Sequence, residues 1–317
     1  MINPPTFGLA IPGAGNPLFP YYDIGPKGRT PRLALVADLH GKDLNGLFVL
    51  SRLAAFLRSI RLGERRGLRL RERVVIVPTL NSLEALDPRK LPQRAGGGQR
   101  RSLWSMIVEA LLALTRAAYY RVNIHQVSLD VEEIPQIRLY SPSDDERATA
   151  CLFGLPAVIE RPMDHEVASG LTHAWRDQGG ENFSIYAGQS GSVQTQHCET
   201  VFRSLVAFLD RTGIISGLHS TDEEELGYFG LRQIVVVSAA QPGIFSSRLE
   251  VGRWVRPGEE LGQIYDSFSG ETREQVAAPV AGLLASLRRQ PLLGKGELLA
   301  RILLPDAVCR EPLAGFA

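Results

Sequence analysis

The chain of 317 residues has few cysteines, no long apolar run and almost no net charge. Its three cysteines, Cys151, Cys198 and Cys309, form no C-x-x-C pair, which excludes a disulfide framework and favours a reducing, cytoplasmic setting. Because no run of about 18 apolar residues is present, we expect no membrane span. The N-terminus has no basic region followed by an apolar core, so we expect no secretory signal. The formal net charge of +1 gives no reason to expect nucleic acid as a partner.

The hydrophobic content of 44% is typical of a globular protein, and the length is sufficient for two domains. Apolar runs alternate with segments of helical periodicity up to about residue 217. Strands are predicted at residues 32–37, 73–78, 121–125, 136–140 and 182–187, and helices at residues 44–57, 103–119 and 196–211. This alternation predicts a mainly parallel sheet that is covered by helices on both faces.

The pattern changes after about residue 217, where short strands are separated by Pro-Gly, Val-Gly and Ser-Gly turns. The pattern therefore predicts a small all-β module at residues 231–304. Two similar segments, residues 239–264 and 277–302, each run from a proline and a glycine through a short strand to a closing strand. We interpret them as an internal two-fold repeat.

Potential metal ligands follow two of the predicted buried strands. The first strand leads into His40 and Asp43, which share one face if a helix begins there, and His125 ends a later strand. Ligands bind at the carboxyl ends of strands in such sheets, and two histidines with one carboxylate leave an open fourth position for catalysis at zinc. The alternatives are that Asp43 only caps the helix and that the histidines are ordinary core residues.

Other polar residues carry weaker signals. Asn81 and Arg89 lie in the loop after the strand at residues 73–78, and arginine can hold a carboxylate through two parallel hydrogen bonds. A solvated loop arginine is the alternative for Arg89. The adjacent Glu132 and Glu133 are interpreted as a solvated turn.

The order of these pieces resembles the succinylglutamate desuccinylase/aspartoacylase family, whose members are relatives of the zinc carboxypeptidases. The matching pieces are the strand before His-Gly-x-Asp, Pro-Thr-Leu-Asn before an arginine, the strand that ends in His, Tyr-Ala-Gly, and the β module. The resemblance covers residues 31–302 and implies an α/β fold in two domains. Residues 1–217 would form a zinc-carboxypeptidase-like mixed sheet flanked by helices, and residues 218–317 a small β barrel or sandwich that resembles biotinyl/lipoyl carriers.

The resemblance also implies a function and a site. His40, Asp43 and His125 would hold one Zn²⁺ per chain, with Asp43 where the family has glutamate. Asn81 and Arg89 would bind the substrate carboxylate. The implied activity is that of a zinc-dependent amidohydrolase, a deacylase that cleaves the amide of a small-molecule N-acyl amino acid or a similar carboxylate. The acyl group and any homo-oligomer are left open.

Two departures from the family pattern affect this expectation. The family's catalytic glutamate is replaced by Tyr186, a poor general base at neutral pH, and the family's Asp-x-Asn-Arg element is absent after Arg89. Glu181 or Asp130 could act instead, or Tyr186 could donate a proton or a hydrogen bond to an oxyanion. The main alternative is a non-catalytic ligand-binding or regulatory protein that has lost the general base, and a peptidase is a third option.

Overall fold

The computed structural model describes seven parts of the chain: residues 6–8, 18–37, 43–79, 109–125, 128–163, 170–218 and 227–305. His40, Asn81 and Arg89 lie outside these described residues. The roles predicted for them therefore stay predictions.

Twenty strands and five helices make up the described chain, together with two short 3₁₀ helices at Cys151–Phe153 and Leu231–Gln233. The strands are β1 (Thr6–Gly8), β2 (Leu18–Pro20), β3 (Tyr22–Ile24), β4 (Pro31–Ala37), β5 (Arg69–Leu70), β6 (Arg73–Val77), β7 (Tyr120–His125), β8 (Val131–Tyr140), β9 (Ala157–Arg161), β10 (Glu181–Gly188), β11 (Ile215–Ser216), β12 (Gly227–Phe229), β13 (Ile234–Ser238), β14 (Gly243–Ser246), β15 (Trp254–Val255), β16 (Glu260–Tyr265), β17 (Thr272–Ala277), β18 (Gly282–Arg288), β19 (Leu292–Leu293) and β20 (Leu298–Leu303). The helices are α1 (Leu44–Arg61), α2 (described over residues 109–115), α3 (Asp144–Ala150), α4 (Gly170–Arg176) and α5 (Thr195–Arg211).

Twelve of these strands form one large mixed sheet. Its central order is β13-β20-β18-β8-β10-β7-β4-β6-β3, with β9, β12 and β15 attached at its sides. The neighbours β10, β7, β4 and β6 run parallel, whereas β8 is antiparallel to both β10 and β18. The predicted α/β class with a mixed sheet flanked by helices is confirmed.

Helices cover both faces of the central strands. The buried apolar side chains of α1 and α5 pack on one face, against residues such as Leu35, Val122 and Ile185. On the other face, Leu111 of α2 and Trp175 of α4 pack against Val36 and Val77. None of the described helices combines the length and the apolarity needed to cross a membrane.

The strand β8 differs from its prediction. It begins at Val131 rather than at residue 136, and it carries Glu132 and Glu133 into the sheet as buried residues. The interpretation of these two glutamates as a solvated turn is wrong, because pairing with β10 and β18 satisfies the backbone there. Strand β9 and helix α4 were not predicted at all.

The C-terminal β module confirms the predicted two-fold repeat. In the first repeat β14 pairs with β16, and in the second β18 pairs with β20. The repeats also exchange strands, since β14 pairs with β19 and β18 pairs with β15. Gly243 and Gly282 occupy matching places, where a Cβ would lie only 2.3 Å from the carbonyl oxygen of Tyr265 and 2.4 Å from that of Leu303.

The large sheet is continuous into this module. Residues Ser286 and Glu133 are direct partners in the pairing of β18 with β8. The division into domains at residues 217–218 stays a prediction.

Candidate active site

Polar side chains, all of them buried except Asn182, line one face of β7, β10 and β8. Each strand alternates polar and apolar residues, and partners in adjacent strands project from the same face. His125 is paired with Tyr186, and Tyr186 with Gln136, so the polar sets of the three strands come together. The set comprises Arg121, Asn123 and His125 of β7, Asn182, Ser184 and Tyr186 of β10, and Gln136, Arg138 and Tyr140 of β8.

His125 and Asp43 lie at the carboxyl edge of the parallel strands. His125 is the last residue of β7 and is 7% exposed, and Asp43 is 3% exposed at the start of α1. The first turn of α1 rests on the strand ends, because a Cβ on Gly46 would lie 3.0 Å from Ala37 Cβ and 3.2 Å from Ile124 Cγ2. Asp43 and His125 therefore both lie at this edge of the sheet, and their role as metal ligands stays a prediction.

Asp43 is the N-cap residue of α1, yet its side chain makes no capping hydrogen bond to the described backbone of that helix. The alternative in which this carboxylate serves only as a cap thus has no support from the helix geometry. A buried carboxylate and a buried imidazole are donors that suit Zn²⁺. The described residues include no group of three side chains that could hold a metal, and the third predicted ligand, His40, lies outside them. The two described donors fit such a site.

Tyr186 is held between two cationic or basic side chains. Its ring stacks on the ring of His125, with centroids 5.2 Å apart and an interplanar angle of 24°, and the Arg138 Cζ lies 4.0 Å from its centre. Since β10 lies between β7 and β8, His125 and Arg138 flank the ring from opposite sides. The Tyr186 hydroxyl is 2.9 Å from that of Tyr140. Burial raises the pKa of Tyr186 above its ordinary value, so its hydroxyl stays protonated and can donate a hydrogen bond but cannot act as a base near neutral pH.

Glu181 lies far from His125 and Tyr186 along the same pair of strands. It is paired with Tyr120 at the beginning of β7, five residues before the Tyr186–His125 pair. At the rise of a β-strand this separation is roughly 16 Å. The alternative that Glu181 acts beside His125 is therefore wrong. Asp130, in the turn before β8, stays a prediction.

Glu133 is a buried carboxylate near this site that the sequence analysis missed. The pairing of Tyr186 with Gln136 and of Gly188 with Glu133 leaves one extra residue in β8, a bulge at the position of Pro135. The bulge turns Glu133 to the same face as Gln136 and Arg138. Glu133 is 0% exposed, and it accepts hydrogen bonds from Arg138 at 2.5 Å, from Gln136 at 2.9 Å and from Arg301 at 2.9 Å. A proline within a strand pattern was the signal that could have indicated the bulge.

A second missed group fixes the end of β10. The Asn45 amide donates to the carbonyl oxygen of Ala187 at 3.2 Å and to Gln194 Oε1 at 2.9 Å, and the Gln194 backbone N–H donates to Asn45 Oδ1 at 2.8 Å. Gly188 has a φ of +76°, and a Cβ there would lie 2.1 Å from Gln194 Oε1. These contacts join the starts of α1 and α5 to the strand that carries Tyr186.

Arg121 connects the polar face to the two helices that cover it, α2 and α4. Its buried guanidinium donates to the carbonyl oxygens of Arg116 at 2.9 Å, just after α2, of Trp175 at 3.2 Å, in the last turn of α4, and of Gly179 at 2.6 Å, after α4. Burial lowers the pKa of Arg121. Because a positive charge is favourable at a helix C-terminus, this side chain stabilises both helices over the site.

The fold defined by this sheet and its β module is that of the succinylglutamate desuccinylase/aspartoacylase proteins. The ectoine utilization protein EutE (DoeB) from Ruegeria pomeroyi, in a product-bound structure, is 19% identical, with a TM-score of 0.69 over 94% of this chain and 93% of that one. A succinylglutamate desuccinylase/aspartoacylase from Rhodobacter sphaeroides is 18% identical, with a TM-score of 0.70 over 96% of this chain and 95% of that one. An aspartoacylase family protein from Mesorhizobium loti is 19% identical, with a TM-score of 0.64 over 95% and 94% of the two chains.

No protein-family model matches the sequence, and no curated protein matches it either. The likeness to the solved structures extends over nearly the whole chain and establishes the shared fold.

Proposed function

We propose that this protein is a metal-dependent deacylase that cleaves the amide bond of a small-molecule N-acyl amino acid or a similar carboxylate. The observation that carries the proposal is the stacking of His125 on Tyr186 at the carboxyl edge of the parallel strands, with the buried Asp43 at the start of the helix that packs on this edge, in a fold shared with succinylglutamate desuccinylase/aspartoacylase proteins. The solved relatives are named as desuccinylases and aspartoacylases, which is the source of the proposed substrate class.

In this proposal His40, Asp43 and His125 hold one Zn²⁺ per chain. When bound, the metal supplies a Lewis acid beside the scissile amide. Asn81 and Arg89 bind the substrate carboxylate, and this orients the amide toward the sheet edge.

Tyr186 takes the role of a hydrogen-bond donor. Its protonated hydroxyl is held in place by Tyr140 and its ring by His125, so it can donate to the oxygen on which negative charge develops. A donor that is already positioned needs little reorganisation during the reaction, which is why such groups contribute to rate. The group that accepts the proton from water is left open.

The metal site is tested by elemental analysis of the purified protein and of two variants. We expect about one zinc per chain in the wild type and in His197→Gln, a control on α5, and little in the His40→Ala/His125→Ala double variant. Retention of stoichiometric zinc in the double variant would show that the ligands are elsewhere.

The reaction is tested by release of free amino acid from a panel of N-acetyl and N-succinyl amino acids. Loss of one oxyanion donor in Tyr186→Phe should lower kcat by about 10²–10³-fold while zinc content is unchanged. If the wild type hydrolyses none of these substrates and Tyr186→Glu gains hydrolysis, the protein is instead a ligand-binding protein that has lost its base.

A further inference from the structure

Three arginines lie on the side of Tyr186 that is remote from His125, and two of them contact a single buried carboxylate. Arg138 of β8 and Arg301 of β20 both donate to Glu133. Arg161, the last residue of β9, is the direct partner of Tyr140 in the neighbouring strand β8. Since Tyr140 and Arg138 are two residues apart in β8, Arg161 projects from the same face of the sheet as Arg138. We call Arg138, Arg161 and Arg301 the arginine cluster.

The arginine cluster carries more positive charge than its neighbours neutralise. Three guanidinium groups face one carboxylate, and Arg161 forms no ion pair or hydrogen bond through its side chain with any described residue. The Nε of Arg138 and the Oε1 of Gln136 are buried and have no hydrogen-bond partner in the described structure. Buried polar atoms are normally paired, so these two atoms are an unsatisfied donor and an unsatisfied acceptor on the face that carries the arginine cluster.

The electrostatics of the cluster agree with this interpretation. Burial, followed by repulsion from Arg138, lowers the pKa of Arg161. Burial is also the main cause of the lowered pKa of Arg301, to which Arg138 and Arg161 add. A negatively charged ligand would relieve this repulsion.

We infer that the arginine cluster binds the carboxylate of a small molecule, with Arg161 and Arg138 as its donors. A guanidinium presents parallel N–H groups that match the two oxygens of a carboxylate. The Oε1 of Gln136 can accept an N–H of the same molecule. The site is separated from His125 only by the Tyr186 ring, which has Arg138 4.0 Å from its centre on one side and His125 stacked on the other.

One consequence rests on the proposed function: a molecule whose carboxylate lies at the arginine cluster can extend past Tyr186 and present a second group to His125. Binding of the carboxylate itself does not depend on that function. Carboxylate binding at the arginine cluster and the proposed function can therefore fail separately in experiment.

The test is a calorimetric titration of the purified protein at low ionic strength with succinate, and with the neutral succinamide as a control probe. We expect succinate to bind and succinamide to bind far more weakly. The Arg161→Gln variant should raise the Kd for succinate by about tenfold or more, since one charge-assisted hydrogen bond is lost. Arg161 makes no described side-chain contact that folding requires, and circular dichroism verifies that the variant is folded.

A further variant makes the result specific. Arg248→Gln removes an exposed arginine from the β module and should leave the Kd for succinate unchanged.

Equal affinity of wild type and Arg161→Gln, no binding of succinate to the wild type, or an equally weakened binding in Arg248→Gln would each overturn the inference. Absence of zinc and of amide hydrolysis would instead overturn the proposed function, while succinate binding that depends on Arg161 would stand.

Discussion

The two faces of β7 and β10 are equally buried but are organised in different ways. On one face, apolar residues such as Val122, Ile124 and Ile185 pack against α1 and α5. On the other face, Arg121, His125 and Tyr186 are fixed by hydrogen bonds, ring stacking and cation–π contact. Apolar packing tolerates small changes of shape, whereas a buried polar network depends on every partner. The comparison teaches that the face carrying the candidate site is stabilised by directional contacts, and that these contacts also position its chemical groups.

The largest effect is expected from Glu133→Gln on the polar face. The substitution leaves Arg138 and Arg301 near a neutral side chain in a buried setting. Removal of one partner from a buried ion pair lowers the free energy of unfolding by about 3–5 kcal/mol. Chemical denaturation of the wild type and the variant measures the free energy of unfolding. Glu250→Gln, which removes an exposed carboxylate beside Arg289, serves as the control and should change little. A loss below about 1 kcal/mol in Glu133→Gln would show that the polar face is not held by this carboxylate.

Adjacent residues of β10 allow a matched comparison of the two faces. Ile185→Ala on the apolar face creates a cavity and should lower the free energy of unfolding by about 2–5 kcal/mol. Ser184→Ala on the polar face removes one hydroxyl and should cost no more than about 1 kcal/mol. Urea denaturation of both variants is the measurement. Similar losses in the two variants would contradict the difference drawn between the faces.

A smaller effect is expected from Tyr140→Phe, which removes the partner of the Tyr186 hydroxyl. The loss of this buried hydrogen bond should cost about 1 kcal/mol of unfolding free energy. Tyr265→Phe, which removes a half-buried hydrogen bond to Gln263 in the β module, is the control. Under the proposed function Tyr140→Phe should also lower kcat, while Tyr265→Phe should leave it unchanged.

The smallest effect concerns Glu132, a charged residue that faces α5 and is thus an exception on the apolar side. Burial alone would raise the pKa of Glu132, but hydrogen bonds from His197 at 2.7 Å and Arg289 at 2.5 Å outweigh it and lower that pKa. A lowered pKa gives stability that is complete above the ordinary glutamate value of about 4.3 and is lost as the pH falls through the folded-state value. The thermal midpoint of Glu132→Gln should therefore fall less steeply than that of the wild type below about pH 5. If the thermal midpoints of the wild type and the variant fall equally steeply with pH, the hydrogen bonds of Glu132 contribute nothing to the loss of stability in acid.

The elements that the sequence predicted correctly are those whose pattern is local. Strand β4 is a continuous apolar run, and α1 and α5 show apolar residues at helical spacing, so their neighbours in sequence determine them. The position of His125 at the sheet edge also followed, because the ends of parallel strands meet there. Strands β7 and β10 were predicted too, but the polar face that they share was not.

The missed features depend on pairing between distant segments. The first half of β8 resembles a turn in sequence, with two glutamates and a proline, and only its pairing with β10 and β18 makes it a strand. Glu133 faces the site because of the bulge at Pro135, and no local pattern determines the register of that bulge. The arginine cluster joins β8 and β9 to β20, which lies more than a hundred residues further along the chain. No local pattern indicates that these strands share a sheet.

The exchange of strands between the two repeats of the β module has a consequence for its assembly. Each repeat supplies a short strand, β15 or β19, that completes the pairing of the other repeat. Half of the module by itself would expose an unpaired edge, so neither half is expected to be stable without the other. The same logic makes this region a candidate for fragment complementation: two separately produced halves, cut in the turn between β16 and β17, would each lack what the other contains.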